Sequence, residues 1–282
     1  MRRGAALAAL VLGIAAPLAA APAQSRVASL NLAADEVLVE LLPPGRLVSV
    51  TQWADAPATS NIVGRVPPSV FRFERADMER LVALRPDLVV VSEYTDADFL
   101  DLVQRSGMRV HRMQGLSSLA GIRRAILDLG QAVGAEDKAR TLVARYDATL
   151  EELRRRLAGA PRKRLLYWSS GMTAGEGTAI GSLIEAAGAS NLGRELGVQG
   201  IAPVGAERAF VAEPDAILVG TWPLAEESVR EHPLLSKLEA VRQGRIVVVP
   251  TPLLVALSQH AADACWYLAH QLHPDRVPGN AP

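Results

Sequence analysis

Two stretches of this chain repeat one another in register. Glu79-Arg80 is followed by Pro86-Asp87 and the apolar run Leu88–Val91, and Glu207-Arg208 by Pro214-Asp215 and Ala216–Val219. Position 207 less 79 and position 214 less 86 both give 128. One Pro-Asp turn before a strand is commonplace, but two copies at one offset, each opened by Glu-Arg, imply two equivalent helix–strand units. Between them lies a segment of another kind. From Glu136 to Leu157 apolar residues recur at Leu142, Tyr146, Leu150, Leu153 and Leu157, with no Gly or Pro inside. That spacing predicts one amphipathic helix of about 33 Å at 1.5 Å per residue, closed by Gly159 and Pro161.

On either side of that helix, strands and helices alternate. The N-terminal side reads as strands at 26–30, 47–51, 88–92 and 109–113, with helices at 32–42, 77–84 and 96–106. The C-terminal side reads as strands at 164–168, 216–219 and 246–249, with helices at 180–187 and 260–272. Such alternation implies parallel sheets covered on both faces. The expected fold is therefore α/β, with two lobes joined by one long rigid connector helix. The boundaries are an N-terminal lobe over 24–135, the connector over 136–158 and a C-terminal lobe over 159–282.

The first 23 residues stand apart. Met1-Arg2-Arg3 is a short positive end, Ala5–Leu18 carries no charge, and Ala21-Pro22-Ala23 supplies the small residues of a cleavage site. This is the layout of a secretory signal peptide cut before Gln24. The apolar run is Ala-rich, contains Pro17 and is short for a membrane span. The lone cysteine, Cys265, is far from the cut, so a lipoprotein anchor is not expected. The mature chain is expected free in a periplasm, as a monomer.

Composition narrows the function. Thirty basic and 30 acidic residues balance, which argues against nucleic acid as a partner, since phosphates require a basic face. One cysteine excludes a disulfide framework and cysteine-based metal sites. The five histidines, at 111, 232, 260, 270 and 273, form no ligand cluster, so neither a metal site nor a cofactor is expected. Gly175 to Gly181 has one residue too many for a dinucleotide fingerprint and reads as a loop entering a helix. No Gly-x-Ser-x-Gly or His-Glu-x-x-His motif is present. These absences weigh against two readings, an exported α/β enzyme using a cleft between the lobes and a free metal-ion receptor.

Taken in order, these features resemble a class III periplasmic solute-binding protein, the receptor family of ABC importers for vitamin B12, ferric siderophores and haem. The matching residues are Arg26–Leu30, Asp77–Val89, the Gly-rich stretch Gly175–Gly188 with Asn191, Glu207–Val219, His232-Pro233-Leu234 and Gly244-Arg245-Ile246. The pattern is nearest the vitamin B12-binding members. The resemblance implies a ligand cleft between the two lobes, a corrinoid or ferric siderophore in it, which can itself contain cobalt or iron, and an ABC permease dimer with its ATPase as partner. It also implies that Glu79 and Glu207 dock one lobe each onto permease arginines. A bland alternative for both is a glutamate favoured by a helix dipole.

Ligands of open α/β sheets sit beyond the carboxyl ends of strands, and only 12 aromatic residues exist to line such a site. Trp53, Tyr94 and Trp222 each follow a predicted strand and Trp168 ends one, so all four are expected to face the cleft and stack on a planar or macrocyclic ligand. Phe71-Arg72-Phe73 lies in a turn-rich stretch where Arg72 could receive an anionic group. By resemblance, Trp53 and Phe73 fall where the vitamin B12 receptors carry cleft aromatics. Ile201 and Ser92 stand where those receptors have further tryptophans.

Overall fold

The computed structural model describes residues 25–279, so the signal peptide expected over 1–23 lies outside the described residues. The N-terminal lobe runs β1 (Val27–Ser29), α1 (Leu32–Leu41), β2 (Leu47–Thr51), β3 (Phe71–Phe73), α2 (Met78–Leu84), β4 (Leu88–Ser92), α3 (Ala97–Arg105), β5 (Arg109–Met113) and α4 (Leu119–Ala132). Its strands form one parallel sheet in the order β3-β2-β1-β4-β5. The β4 run Leu-Val-Val-Val is buried on both faces, as a parallel sheet between two helical layers requires. β3 was not foreseen: three residues flanked by turns give too short an alternation to read, and its place on the sheet edge comes from pairing with β2. Helix α4 was also missed.

The connector α5 (Glu136–Arg156) leads to the second lobe. There β6 (Arg164–Tyr167), β7 (Met172–Ala174), α6 (Ala179–Ala186), β8 (Ser190–Asn191), α7 (Leu192–Glu195), β9 (Ile201–Pro203), α8 (Ala206–Ala212) and β10 (Ala216–Gly220) come first. Then follow α9 (Ala225–Arg230), α10 (Glu239–Arg242), β11 (Ile246–Val249), α11 (Thr251–Leu254) and α12 (His260–Leu272). The main sheet is parallel, in the order β11-β10-β6-β8, with β7 and β9 an antiparallel pair beside it. The fingerprint-like glycines lead into α6, capped by Thr178. Gly175 has a structural cause: a Cβ there would lie 1.9 Å from the Val198 carbonyl oxygen.

The 128-residue repeat has a physical basis. Helices α2 and α8 each end on a left-handed residue, Arg85 and Glu213, both at φ 47°, and the following proline prevents continuation. The next residue ties the turn to the neighbouring strand: Asp87 accepts from the Arg26 backbone N–H at 2.7 Å, and Asp215 from that of Arg164 at 2.7 Å. The same two arginines donate side-chain hydrogen bonds to the last helical carbonyls, Leu84 at 2.9 Å and Ala212 at 2.8 Å. Strand, helix end and Pro-Asp turn therefore form one unit, built twice.

The connector buries Ala139, Leu142, Val143 and Tyr146 in the N-terminal core and Leu153 in the C-terminal core. Helix α12 makes a second crossing. Its Ala261 and Ala262 join the N-terminal core, while Ala264, Cys265, Trp266 and Leu268 join the other. The segment read as wholly C-terminal thus serves both lobes. Burial pushes the Cys265 thiol up to about 12, so it stays protonated. Among the described residues no helix is long and apolar enough to cross a membrane.

Candidate ligand cleft

The segments leaving the carboxyl ends of β1, β2 and β11 meet between the lobes. Glu36, in α1, is only 2% exposed. Its Oε1 accepts from the Asn61 backbone N–H at 3.0 Å and from Asn61 Nδ2 at 2.9 Å, and its Oε2 accepts from Ser258 Oγ. Asn61 Nδ2 also donates to the Pro252 carbonyl at 2.8 Å, and Gln259 Nε2 to the Glu36 carbonyl at 3.0 Å. This buried polar junction fixes one lobe against the other where their strand ends converge. Nothing in the sequence flagged it, because its members lie up to 223 residues apart and no motif joins them.

Beside it, Asp35 anchors the turn that carries Trp53. Its Oδ2 accepts from the Thr51 backbone N–H at 3.0 Å and from Thr51 Oγ1 at 2.6 Å, and Thr51 opens the 3₁₀ turn Gln52–Asp55 that carries Trp53. Asp35 is fully buried. Loss of solvation pushes its carboxyl up to about 7, against the lowering effect of the hydrogen bonds from Thr51. A carboxyl raised in the folded state favours folding when protonated, so its contribution is complete below about pH 4 and lost as pH rises through about 7. The stability of wild type relative to Asp35→Asn is therefore expected to fall by up to about 4 kcal/mol over that window, measured by urea unfolding. A gap that stays constant from about pH 4 to about pH 7.5 would show that Asp35 does not titrate there.

The predicted aromatics divide. Trp53 (51% exposed) and Tyr94 (85%) stand clear of the N-terminal lobe beyond β2 and β4, and Trp222 (38%) beyond β10 on the other lobe. Trp222 and Trp168 border one concavity of about 390 Å³, with Ser169, Ser170, Pro223 and Leu224. Gly220 permits this, since a Cβ there would come within 2.8 Å of Thr251 Oγ1 and 3.2 Å of the Trp222 ring. Leu224, at φ 62° and 70% exposed, was missed because an apolar residue after Trp-Pro gives no signal of a left-handed backbone.

Three expectations need correction. Phe73 is core, 4% exposed and edge-on to Phe71 at 4.9 Å, because β3 turns it into the sheet. Trp168 is 5% exposed and packs edge-on to His232, so it forms the floor of the concavity more than a free wall. Arg72 has no donor left for an anion. Its Nε and Nη2 bond Asp55, Nη2 also bonds the Val66 carbonyl, and Nη1 bonds the carbonyls of Pro67 and Val70. Arg72 therefore holds the loop that follows Trp53. Among the described residues, no three of His, Cys, Asp and Glu gather in a way that could hold a metal ion.

The repeated glutamates are on the surface. Glu79 and Glu207 lie in the first turns of α2 and α8, exposed, and neither makes an ion pair among the described residues. Their neighbours lean back onto the lobes: Arg80 covers the Phe71 ring at 5.8 Å, and Arg208 donates to the Leu196 carbonyl.

The model of one protein family, periplasmic binding protein, matches residues 27–253. The chain belongs to that family. Family members are binding proteins of the periplasm or extracytoplasmic space. A protein called cobalamin-binding protein in Halobacterium salinarum is 27% identical over 245 residues, covering 80% of this chain and 63% of the relative. An ABC transporter substrate-binding lipoprotein of Bacillus subtilis is 23% identical, covering 71% of this chain and 66% of the relative. The match thus spans just under two thirds of these relatives' length. A periplasmic heme-binding protein from Roseiflexus in apo form has a TM-score of 0.75 at 23% identity, over 89% of this chain and 98% of that one. A molybdate periplasmic binding protein from Haemophilus influenzae reaches 0.78 at 20% identity, over 90% and 88%. These two structures establish the shared fold: α/β lobes with parallel sheets flanked by helices, as this periplasmic binding protein has.

Proposed function

We propose that this periplasmic binding protein captures a corrinoid or an iron chelate in the inter-lobe cleft and delivers it to an ABC permease dimer with its ATPase. The observation carrying this reading is the exposure of Trp53, Tyr94 and Trp222 beyond strand ends of both lobes, in a chain with few aromatics. Exposed rings on facing lobes suit a flat ligand held by stacking and apolar burial. With Arg72 bound to Asp55 and three carbonyls, the N-terminal side of the cleft has no free guanidinium from that position for an anionic chelate. This favours a corrinoid over a siderophore, as does the likeness to the cobalamin-binding relative.

Corrinoids, haem and ferric chelates absorb light in the near-ultraviolet and visible range, so a bound ligand quenches tryptophan emission. Titration with cobalamin, cobinamide, haem and a panel of ferric siderophores is expected to quench saturably with at least one, cobalamin or cobinamide first. Stacking contributes about 1 kcal/mol per face beyond area burial, and Trp53→Ala is expected to weaken that ligand about tenfold. A flat titration across the whole panel would remove this ligand class and leave the fold untouched.

Delivery requires contact with the permease, and Glu79 and Glu207 supply one exposed carboxylate per lobe for its arginines. The mature protein in this reading is a free periplasmic monomer, released before Gln24 and not a lipoprotein. Mass spectrometry of the exported protein tests the cut, and a lipid-modified N-terminus would refute it.

A further inference from the structure

The repeated helices share more than a glutamate. Residue by residue from Met78 and from Ala206, α2 and α8 have the same sequence of burial, with Leu81 and Ala209 fully buried at the fourth position. The residues three and four after each glutamate lie on its face of the helix. In α2 these are Val82 and Ala83, and in α8 Phe210 and Val211, all exposed. Single exposed apolar residues are ordinary on a protein surface. The same two positions left apolar and exposed in both copies, directly behind an unpaired carboxylate, are not.

Each stripe runs into a concavity, and these too correspond. Val82, Arg85, Pro86 and Asp87 line one of about 640 Å³ at the amino ends of β4 and β5. Phe210, Glu213, Pro214 and Asp215 line one of about 380 Å³ at the amino ends of β10 and β11. Every pair differs by 128. The two stripes are nevertheless unequal. Val211 is 80% exposed and Phe210 adds a ring, where α2 offers Val82 and the single methyl of Ala83. At the helix end Glu213 extends the acidic character of the second stripe, whereas Arg85 opposes it in the first.

We propose that Val82 with Ala83 and Phe210 with Val211 are the apolar part of the permease-docking surface, and that the C-terminal lobe makes the tighter half of the contact. The inference rests on docking through Glu79 and Glu207. The occupant is a permease surface repeated by two-fold symmetry, presenting a cationic side chain beside an apolar one. A symmetric partner offers both stripes the same surface, so the larger apolar and more acidic stripe binds it better.

The test uses the mature receptor with its cognate permease–ATPase complex in lipid nanodiscs, measuring ATPase stimulation against receptor concentration. Phe210→Ser with Val211→Ser is expected to raise the half-maximal concentration by about tenfold or more, and Val82→Ser by less than about threefold. Tryptophan quenching by cobalamin, cobinamide, haem and ferric siderophores, run on each variant, is expected to match wild type and so shows that it folds. Val211→Arg, at a site with little packing to lose, repeats the test by adding repulsion. Equal shifts from the two lobes would overturn the asymmetry. No shift from the α8 variants, with stimulation abolished by Glu79→Ala and Glu207→Ala, would overturn the apolar contact and leave glutamate docking standing. Unchanged stimulation with the glutamates removed would instead sink glutamate docking, and with it the inference that rests on it.

Discussion

Replacing Glu79 and Glu207 together with Ala is expected to abolish stimulation of the transporter's ATPase while ligand quenching still saturates at the wild-type concentration. Both carboxylates are exposed, and neither is paired within the described residues, so removing them leaves the folded lobes intact. Exposed substitutions of this kind change stability by no more than about 0.5 kcal/mol. Their effect falls on encounter and register with a cationic partner, where charge contributes most. Each single variant is expected to retain part of the stimulation, since one lobe remains anchored. An equal loss of ligand affinity in the double variant would place these residues in the binding site and refute docking.

The second large effect is expected at the inter-lobe junction. Glu36→Ala removes the acceptor for the Asn61 backbone N–H, Asn61 Nδ2 and Ser258 Oγ, in a place 2% exposed. Buried donors left without partners cost about 1–3 kcal/mol each. Some relaxation or water entry reduces the sum to about 3 kcal/mol, or about 6–12 °C in Tm for a chain of this size. Glu36→Gln is expected to recover most of this, since its amide oxygen can accept from Asn61 while its NH₂ donates to Ser258 Oγ. Thermal unfolding followed by circular dichroism makes the comparison. An Ala variant within about 2 °C of wild type would mean that α5 and α12 hold the lobes without the junction.

The two-lobed architecture and the repeat were legible in the amino-acid pattern. Continuous apolar runs such as Leu88–Val91 read as buried strands, and the spacing from Leu142 to Leu153 reads as a helix, because both patterns are local and set by burial on a fixed period. Glu79 and Glu207 were legible for the same reason, since the turn that duplicates them is a local unit. Distance in sequence hid the rest. β3 depends on its edge pairing with β2, and that pairing turned Phe73 inward and brought Arg72 to Asp55. Glu36, Asn61 and Ser258 came together only when helix α1 and the loops that follow β2 and β11 met between the lobes. Which aromatics stay exposed was decided the same way: Trp53 and Trp222 stand free, and Trp168 became floor. A residue's type states what it can bond or bury, but its partners are chosen by contacts that only the closed tertiary structure supplies.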